Sequence, residues 1–185
     1  MKRLWTAALI LMTAAGAAAG GTVKTKTPSQ AVAAALSFTP PKGWTVVEYA
    51  NAEGADPVVR FESLADAVQI RLFGAPGSDY PTPEDFLAGP AASERGASPA
   101  AAGTALVAGR KLALHRRRFP IEAADPHRPS PGKSIMGTET FCVLPLEGGR
   151  FAVLAYRRAS PIPDLQRKGE KAWEAFLKTV RPKSK

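Results

Sequence analysis

Two apolar segments around a glycine pair constrain the fold of this chain more than any other feature of its sequence. Phe141 to Leu146 and Phe151 to Tyr156 carry apolar side chains at both odd and even positions, and Glu147 to Arg150 separates them. A strand whose two faces are both apolar is covered on both faces, whereas a strand with one wet face alternates apolar and polar residues. The two segments therefore predict a hairpin at the centre of an antiparallel sheet.

Pro145 decides the expected length of the hairpin loop. A two-residue loop at Gly148-Gly149 would make Pro145 and Ala152 a hydrogen-bonded pair, which requires an N–H that proline lacks. A four-residue loop from Glu147 to Arg150 turns the proline nitrogen outward, so we predict the longer loop. This loop pairs Leu146 with Phe151, Leu144 with Val153, Cys142 with Ala155, Pro145 with Ala152, Val143 with Leu154, Phe141 with Tyr156 and Glu139 with Arg158.

An amphipathic helix is predicted after the hairpin, packed on the sheet. Ser160 or Asp164 is expected to cap its start, and Pro182 is expected to stop it. Gly169 is expected where helix and sheet approach closely. The apolar stripe of the helix recurs at helical spacing and consists of Ile162, Leu165, Gly169, Ala172, Trp173, Phe176, Leu177 and Val180.

The first 19 residues have the composition of a secretory signal peptide. Lys2 and Arg3 precede an apolar run from Leu4 to Ala15, and the small residues 17–19 follow it. A retained membrane anchor is the alternative, although the apolar run is short for a bilayer span. No cysteine follows the signal directly, so no lipoprotein anchor is expected. We expect cleavage after Ala19 and a periplasmic or secreted protein.

One domain is the expected organisation of the remaining chain. Residues 20–35 are predicted to form an N-terminal arm, loose or with a short edge strand, and residues 36–182 a single α+β domain. The predicted elements before the central hairpin are the strand Thr45 to Tyr49, a hairpin with one wet face around Leu64, a long loosely packed connection from Gly74 to Gly103 with a short helix beginning at Thr82 or Pro83, and the strands Ala105 to Val107 and Leu112 to Phe119.

Basic residues exceed acidic ones in this chain. It has 25 lysines and arginines against 16 aspartates and glutamates, a formal net charge of +9. An anionic partner fits this charge, but charge alone does not choose between phosphate, lipid headgroup, cell-wall polymer and acidic protein.

The densest basic cluster is Arg116-Arg117-Arg118, on a predicted strand. Arg116 and Arg118 share the face of Leu112 and Leu114, while Arg117 points the other way, so the run does not form one flat surface. It is a candidate site for an anion or an acidic partner. The alternative is a solvated strand end whose charges oppose edge-to-edge association. Nucleic acid is not expected, because no aromatic residues interleave the basic run.

Residues that bear other chemistry form no recognisable catalytic or metal site. Cys142 would be a nucleophile if His115 or His127 came beside it, but its position within a strand favours a small core residue. Asp125 and His127 are too few for a zinc site. No catalytic or phosphate-binding motif occurs, and we expect no cofactor. A hard cation in the long connection is not expected either, since these acids lack the spacing of a calcium loop: Asp79, Glu84 and Asp85.

The order of these features resembles the PsbP-like family. The resemblance rests on Phe38 to Trp44 (Phe-Thr-Pro-Pro-Lys-Gly-Trp), an arginine-containing strand after Gly109, the Gly148-Gly149 hairpin and the final Ala-x-x-x-Phe-Leu-Lys-Thr-Val helix from Ala172. It implies an α+β sandwich with a central antiparallel sheet. The family includes extrinsic subunits of the photosynthetic oxygen-evolving complex, Ran-binding proteins of the same fold and uncharacterised exported bacterial proteins. No matched position is a functional residue of the family.

The resemblance implies a non-enzymatic accessory role. We expect a monomeric exported domain that binds another protein of the cell envelope, through the Gly74 to Gly103 connection, the basic strand or both. Two alternatives remain open at this point: an adaptor for an anionic envelope polymer or lipid, and an enzyme of an unrecognised type.

Overall fold

A computed structural model describes residues 22–24, 30–49, 56–64, 66–92, 98–121, 135–159 and 162–183. In chain order the elements are β1 (Thr22–Lys24), α1 (Gln30–Ala35), β2 (Leu36–Ser37), β3 (Thr45–Tyr49), β4 (Val58–Ser63), β5 (Asp66–Phe73), α2 (Pro83–Ala88), β6 (Ala100–Val107), β7 (Arg110–Ile121), β8 (Ile135–Pro145), a 3-10 turn (Glu147–Gly149), β9 (Phe151–Arg158), α3 (Pro163–Thr179) and β10 (Arg181–Pro182).

Eight of the described strands form one antiparallel sheet in the order β1-β3-β4-β5-β9-β8-β7-β6. The central hairpin predicted from the sequence is β8 and β9, and every residue from Phe151 to Tyr156 is buried. The prediction of an α+β fold around a central antiparallel sheet is therefore confirmed. β2 and β10 form a separate two-stranded ribbon.

The register of the central hairpin differs from the prediction by one residue. Leu144 lies opposite Ala152 and Pro145 opposite Phe151, so all the predicted pairs are wrong. The loop has three residues rather than four, because the backbone N–H of Leu146 donates to the carbonyl oxygen of Arg150 at 2.8 Å. Hydrogen-bonded and non-bonded pairs alternate, so the nitrogen of Pro145 still faces away from β9. Because both faces of each strand are apolar, hydrophobic patterning did not select between the two registers.

Helices α1 and α3 cover one face of the sheet, here called the α3 face. Its core joins Val32 of α1 and Phe176 of α3 to inward side chains of the strands, and Phe38 packs against Phe61 and Phe176 with ring centroids 5.8 and 6.0 Å apart. Burying each of these rings stabilises the fold by about 2 to 3 kcal/mol. The strand residues of this core include Val59, Phe61, Val68, Ile70, Leu72, Cys142, Leu144, Ala152, Leu154 and Tyr156.

The start of α3 differs from the prediction. Ile162 is the residue before the first turn, it is 53% exposed, and no side-chain hydrogen bond caps the helix. Asp164 lies within the first turn, where its charge favours the helix dipole without capping it; Ser160 lies outside the described residues. The helix ends at Thr179, and Pro182 beyond it pairs with Leu36 in the ribbon.

Gly169 allows α3 to approach the sheet closely. The hydroxyl of Tyr156 on β9 donates to Asp66 Oδ2 at 2.7 Å, and the backbone N–H of Ala159 donates to Asp66 Oδ1 at 3.2 Å. A Cβ atom on residue 169 would collide with both the Tyr156 hydroxyl and the Asp66 carboxylate. The helix therefore covers a buried polar pair as well as an apolar surface.

Helix α2 covers part of the opposite face, here called the α2 face. Thr82 Oγ1 accepts a hydrogen bond from the backbone N–H of Asp85 at 3.1 Å and begins the helix, as predicted. Phe86 is buried and packs against Phe73 and Phe151, with ring centroids 5.3 and 6.3 Å apart. The expectation of a loosely packed connection is wrong for this helix, and β6 begins at Ala100, five residues before the predicted strand.

The β4–β5 hairpin forms as predicted, but the face that was expected to be wet is covered. Ala67 and Gln69 on that face are buried, and Arg71 is partly buried. Their partners come from distant parts of the chain, so the period-two pattern of β5 underestimates its burial.

The segment assigned to an N-terminal arm contributes two elements to the fold. β1 extends the sheet by pairing with β3, and α1 places Val32 in the core of the α3 face. Residues 1–19, the expected signal peptide, lie outside the described residues. Among the residues that are described, no helix is both long enough and apolar enough to cross a membrane.

Candidate binding cleft

A cleft of about 480 Å³ opens on the α3 face, between α3 and the outer strands β6, β7 and β8. This volume is within the range of small-molecule sites in proteins. The side chains that line it are Ala102, Thr104, Ala105, Leu106, Leu114, Arg116, Thr138, Thr140, Tyr156, Arg158, Glu170, Trp173, Glu174, Leu177 and Lys178.

Small residues on β6 keep the cleft open. Ala102, Thr104 and Ala105 line it from the edge of the sheet, and the β6–β7 register shifts between Ala101 and Thr104. Larger side chains at Ala102 and Ala105 would fill the space between the edge strands and α3. An irregular pairing also increases the local twist of an edge strand. Small side chains on β6 therefore leave space beside α3 at this edge of the sheet.

The cleft has an aromatic and aliphatic floor. Trp173 of α3 stacks on Tyr156 of β9 with ring centroids 6.3 Å apart and planes 18° apart. Leu114 and Leu177 also line the cleft. Burial raises the pKa of Tyr156 above its ordinary value, and the hydrogen bond to Asp66 raises it further, so this hydroxyl stays protonated at neutral pH. The floor offers apolar surface with no charge of its own.

The rim of the cleft carries charges of both signs. Arg158 and Glu170 form an ion pair at 2.8 Å. Arg116 on β7 is exposed and makes no hydrogen bond or ion pair with any residue that the structure describes. Thr140 lies directly across from it on β8 and also lines the cleft. The rim can therefore bind an anionic group next to an apolar floor.

The arginine run divides between the two faces of the sheet, as its alternation predicted. Arg116 lines the cleft, and Arg118 lies on the same face, opposite Thr138. Arg117 lies on the α2 face, where its Nε donates to Glu139 Oε2 at 2.6 Å. The structure therefore separates the candidate site residues Arg116 and Arg118 from Arg117.

Glu139 is the polar centre of the α2 face, and the sequence analysis missed its role. Its side chain is 2% exposed and is bound by Arg117 and by Arg71 Nη2, the latter at 3.3 Å. Burial lowers the pKa of Arg71, and the negative charge of Glu139 opposes that shift. A single acid in a strand of otherwise apolar and hydroxyl side chains was the available signal. The incorrect register paired Glu139 with Arg158 instead.

The structure confirms the prediction that Cys142 is a small core residue and keeps His115 away from it. Cys142 is fully buried in the core of the α3 face, and burial raises the pKa of its thiol to about 12. His115 stacks on Phe141 at 5.3 Å on the other face of the sheet. A buried, protonated thiol is a poor nucleophile. Asp125 and His127 lie outside the described residues.

The acids of the long connection have structural roles or project into solvent. Asp85 accepts a hydrogen bond from Thr82 Oγ1 at 2.7 Å, and the backbone N–H of Asp79 donates to Asp56 Oδ2 at 3.1 Å. Glu84 is exposed in the first turn of α2. Within the described ranges, no group of three or more histidine, cysteine, aspartate or glutamate side chains is placed to hold a metal ion.

Comparison of the chain with protein-family models, with curated proteins and with solved structures finds no match. The fold and the cleft define this chain as an α+β domain with an open cleft of mixed apolar and charged lining.

Proposed function

We propose that this protein is an exported, non-enzymatic accessory domain of the cell envelope that binds another envelope protein through the cleft on the α3 face. In this proposal the fold is a PsbP-like sandwich, residues 1–19 are removed as a signal peptide, and the mature monomer is periplasmic or secreted. The observation that carries the proposal is Arg116, which stands without an ionic partner in the described part of the chain beside the aromatic floor of the cleft.

The lining of the cleft supports a protein partner. Arginine and tryptophan are enriched among the residues that dominate binding energy at protein interfaces, and the cleft presents Arg116 beside Trp173. A partner that inserts an apolar side chain against Trp173 and Leu177 and an acidic side chain against Arg116 would satisfy both kinds of surface. Thr138 and Thr140 offer hydroxyl groups for further hydrogen bonds.

One alternative is an adaptor for an anionic envelope polymer or lipid, which the net charge of +9 for the full sequence also fits. Salt dependence separates the two functions. Exposed charges are screened over about 10 Å at 0.1 M ionic strength, so a purely electrostatic adaptor releases its ligand as salt rises. A protein bound partly through the apolar floor remains bound at the same salt concentration.

The test uses immobilised protein, residues 20–185, exposed to its own envelope extract at low and moderate salt. Arg116→Gln removes the arginine of the cleft that has no ionic partner among the described residues, and leaves Arg158 and Lys178 in place. Arg167→Gln is the matched control, because Arg167 is an exposed arginine of α3 whose side chain pairs only with the exposed Asp164 among the described residues. We expect a discrete protein to be retained at both salt concentrations by the unaltered chain and by Arg167→Gln, and to be lost with Arg116→Gln.

Two results would contradict the proposal. Retention of a polymer or lipid at low salt alone would favour the adaptor. Equal retention by the two variants would show that the cleft is not the binding site.

A further inference from the structure

Four arginines gather on the α2 face, on the side of the sheet opposite the cleft. We call Arg60, Arg71, Arg117 and Arg157 the arginine layer; they come from β4, β5, β7 and β9. Arg157 lies opposite Ala67 of β5 on one side and Glu139 of β8 on the other, and Glu139 lies opposite Arg117. Strand register alone brings these residues together, because each belongs to the same face of neighbouring strands.

The arginine layer has more positive charge than its carboxylates balance. Two described carboxylates pair within it, Glu139 with Arg71 and Arg117, and Glu62 with Arg60 at 2.9 Å. Within the described residues, the three guanidinium groups around Glu139, those of Arg71, Arg117 and Arg157, exceed its carboxylate by two positive charges. A surplus of this kind is costly in a partly buried place, since each ion loses hydration that only a counter-charge replaces.

The electrostatics of Arg71 and Arg157 reflect this cost. Burial lowers the pKa of each guanidinium, the charge of Glu139 opposes the shift, and neighbouring arginines lower both pKa values further. The lowered pKa values show that the surroundings disfavour the charged form of these two guanidinium groups. An additional anion nearby would raise both pKa values again.

Arg157 is the member of the layer that lacks an acceptor. Its Nε is buried and has no hydrogen-bond partner in the part of the chain that the structure describes. Its guanidinium carbon lies 4.0 Å from the ring centroid of Phe119, a contact that offers no hydrogen-bond acceptor in the ring plane. Both oxygens of Glu139 are already bound, one by Arg71 and the other by Arg117.

We propose that the arginine layer is a binding site for a dianionic phosphate group, with Arg157 as its principal ligand. A phosphate dianion matches the surplus of two charges and supplies several acceptor oxygens, which suit the planar donor fork of arginine. The group is either inorganic phosphate or the monoester group of a small molecule. The site is separate from the cleft, because the sheet lies between them.

The experiment measures the binding of phosphate to the mature protein by calorimetry, at constant ionic strength and about pH 8, where a phosphate group is mainly a dianion. Arg157→Gln removes the unpaired guanidinium and leaves the pairs of Glu139 in place. Arg167→Gln is the control, since it removes an exposed arginine of α3 whose ion pair is with the exposed Asp164 and which lies in neither site. We expect saturable binding, weakened at least about tenfold by Arg157→Gln because charge-assisted hydrogen bonds are lost, and unchanged by Arg167→Gln.

Parallel titrations with inorganic phosphate and glycerol phosphate identify the source of the group, since the tighter ligand shows whether the site takes the free anion or a monoester. If Arg157→Gln fails to fold, Arg157→Lys keeps the charge and loses the fork, and binding is expected to weaken in that variant. The proposal is overturned if neither ligand saturates, or if Arg157→Gln binds phosphate as tightly as the unaltered chain. Neither result bears on the envelope partner of the cleft, so the two proposals fail separately.

Discussion

The two faces of the sheet are covered in different ways, although the same strands supply both. Helix α3, 17 residues long, covers the α3 face with Trp173, Phe176 and Leu177, and apart from the buried Asp66 the described charges of that side lie at the rim of the cleft. Helix α2 has six residues and covers the α2 face around Phe73 and Phe151. The arginine layer, with Glu139 at its centre, occupies another part of that face.

Burial in this fold therefore has two physical origins. On the α3 face, removal of apolar surface from water supplies the free energy, and this term is non-directional and tolerant of exchange between similar side chains. On the α2 face, part of the buried area is charged and depends on specific pairs, where loss of one partner leaves the other charge uncompensated. Substitutions on the two faces should therefore change the free energy of unfolding by different amounts and with a different dependence on pH.

Loss of the central carboxylate should have the largest effect on stability. Glu139→Gln leaves Arg71 and Arg117 without their counter-charge, and we expect the free energy of unfolding to fall by about 3 kcal/mol, as for a broken buried ion pair. Urea unfolding of the unaltered chain and the variant measures the change. Glu62→Gln is the control, because its ion pair with Arg60 is more exposed, and its cost should stay below about 1 kcal/mol. Equal effects would show that the α2 face is not organised around Glu139.

Substitutions of the adjacent Arg116 and Arg117 should differ in their effect on stability, because the two side chains lie on opposite faces of the sheet. Arg117→Gln removes a partner of Glu139, and we expect a loss of about 2 kcal/mol in the free energy of unfolding, in the range of a hydrogen bond between charged groups. Arg116→Gln should change it by no more than about 0.5 kcal/mol, as for other exposed positions. The same urea measurement applies to both. A larger effect from Arg116 would contradict the assignment of the two side chains to opposite faces.

A single methyl group at Gly169 should test the close contact beneath α3. Gly169→Ala improves helix propensity by about 1 kcal/mol, but its Cβ collides with the Tyr156 hydroxyl and Asp66. Overpacking of this kind costs typically about 1 to 3 kcal/mol, so we expect a net loss of about 1 kcal/mol in thermal or urea unfolding. Ala175→Gly, at an exposed position of the same helix, measures propensity alone. Net stabilisation by Gly169→Ala would mean that α3 lies farther from β9 than described.

The buried thiol of Cys142, in the core of the α3 face, should make the free energy of unfolding depend weakly on pH. The pKa of Cys142 rises from 9.0 to about 12 in the folded protein, so the unfolded chain loses this proton first as pH rises. The contribution of the thiol is fully present below about pH 8.5 and is lost between the two pKa values, by about 1.4 kcal/mol per pH unit. At about pH 10 we expect a relative loss of about 1 kcal/mol in the unaltered chain. Cys142→Ala should lack this loss, and an identical pH profile in both proteins would place the thiol in contact with solvent.

The sequence predicted those parts of the fold that depend on local geometry. Period-two alternation placed Arg116 and Arg117 on opposite faces, and that follows from strand geometry alone. Thr82 and Pro83 identified the start of α2, since a hydroxyl cap and a proline in the first turn act within a few residues. The apolar hairpin identified the centre of the sheet because strands that are apolar on both faces are covered on both faces.

The features that were missed depend on contacts between distant residues. The hairpin register was wrong because a shift of one residue exchanges one apolar face for another. The face of Gln69 and Arg71 was expected to be wet because Glu139, the buried partner of Arg71, lies 68 positions along the chain. The cleft depends on how far α3 reaches across β6, β7 and β8, and no local pattern encodes that distance.

The small ribbon of β2 and β10 determines how this domain responds to tension. Leu36 lies opposite Pro182, and the backbone N–H of Lys183 donates to the carbonyl oxygen of Ala35 at 2.9 Å. The chain thus enters and leaves this part of the domain at neighbouring points. A force applied directly to Leu36 and Pro182 loads the bonds of the ribbon one after another. A force applied on the N-terminal side of β1 loads the β1–β3 pair of the eight-stranded sheet before it reaches the ribbon.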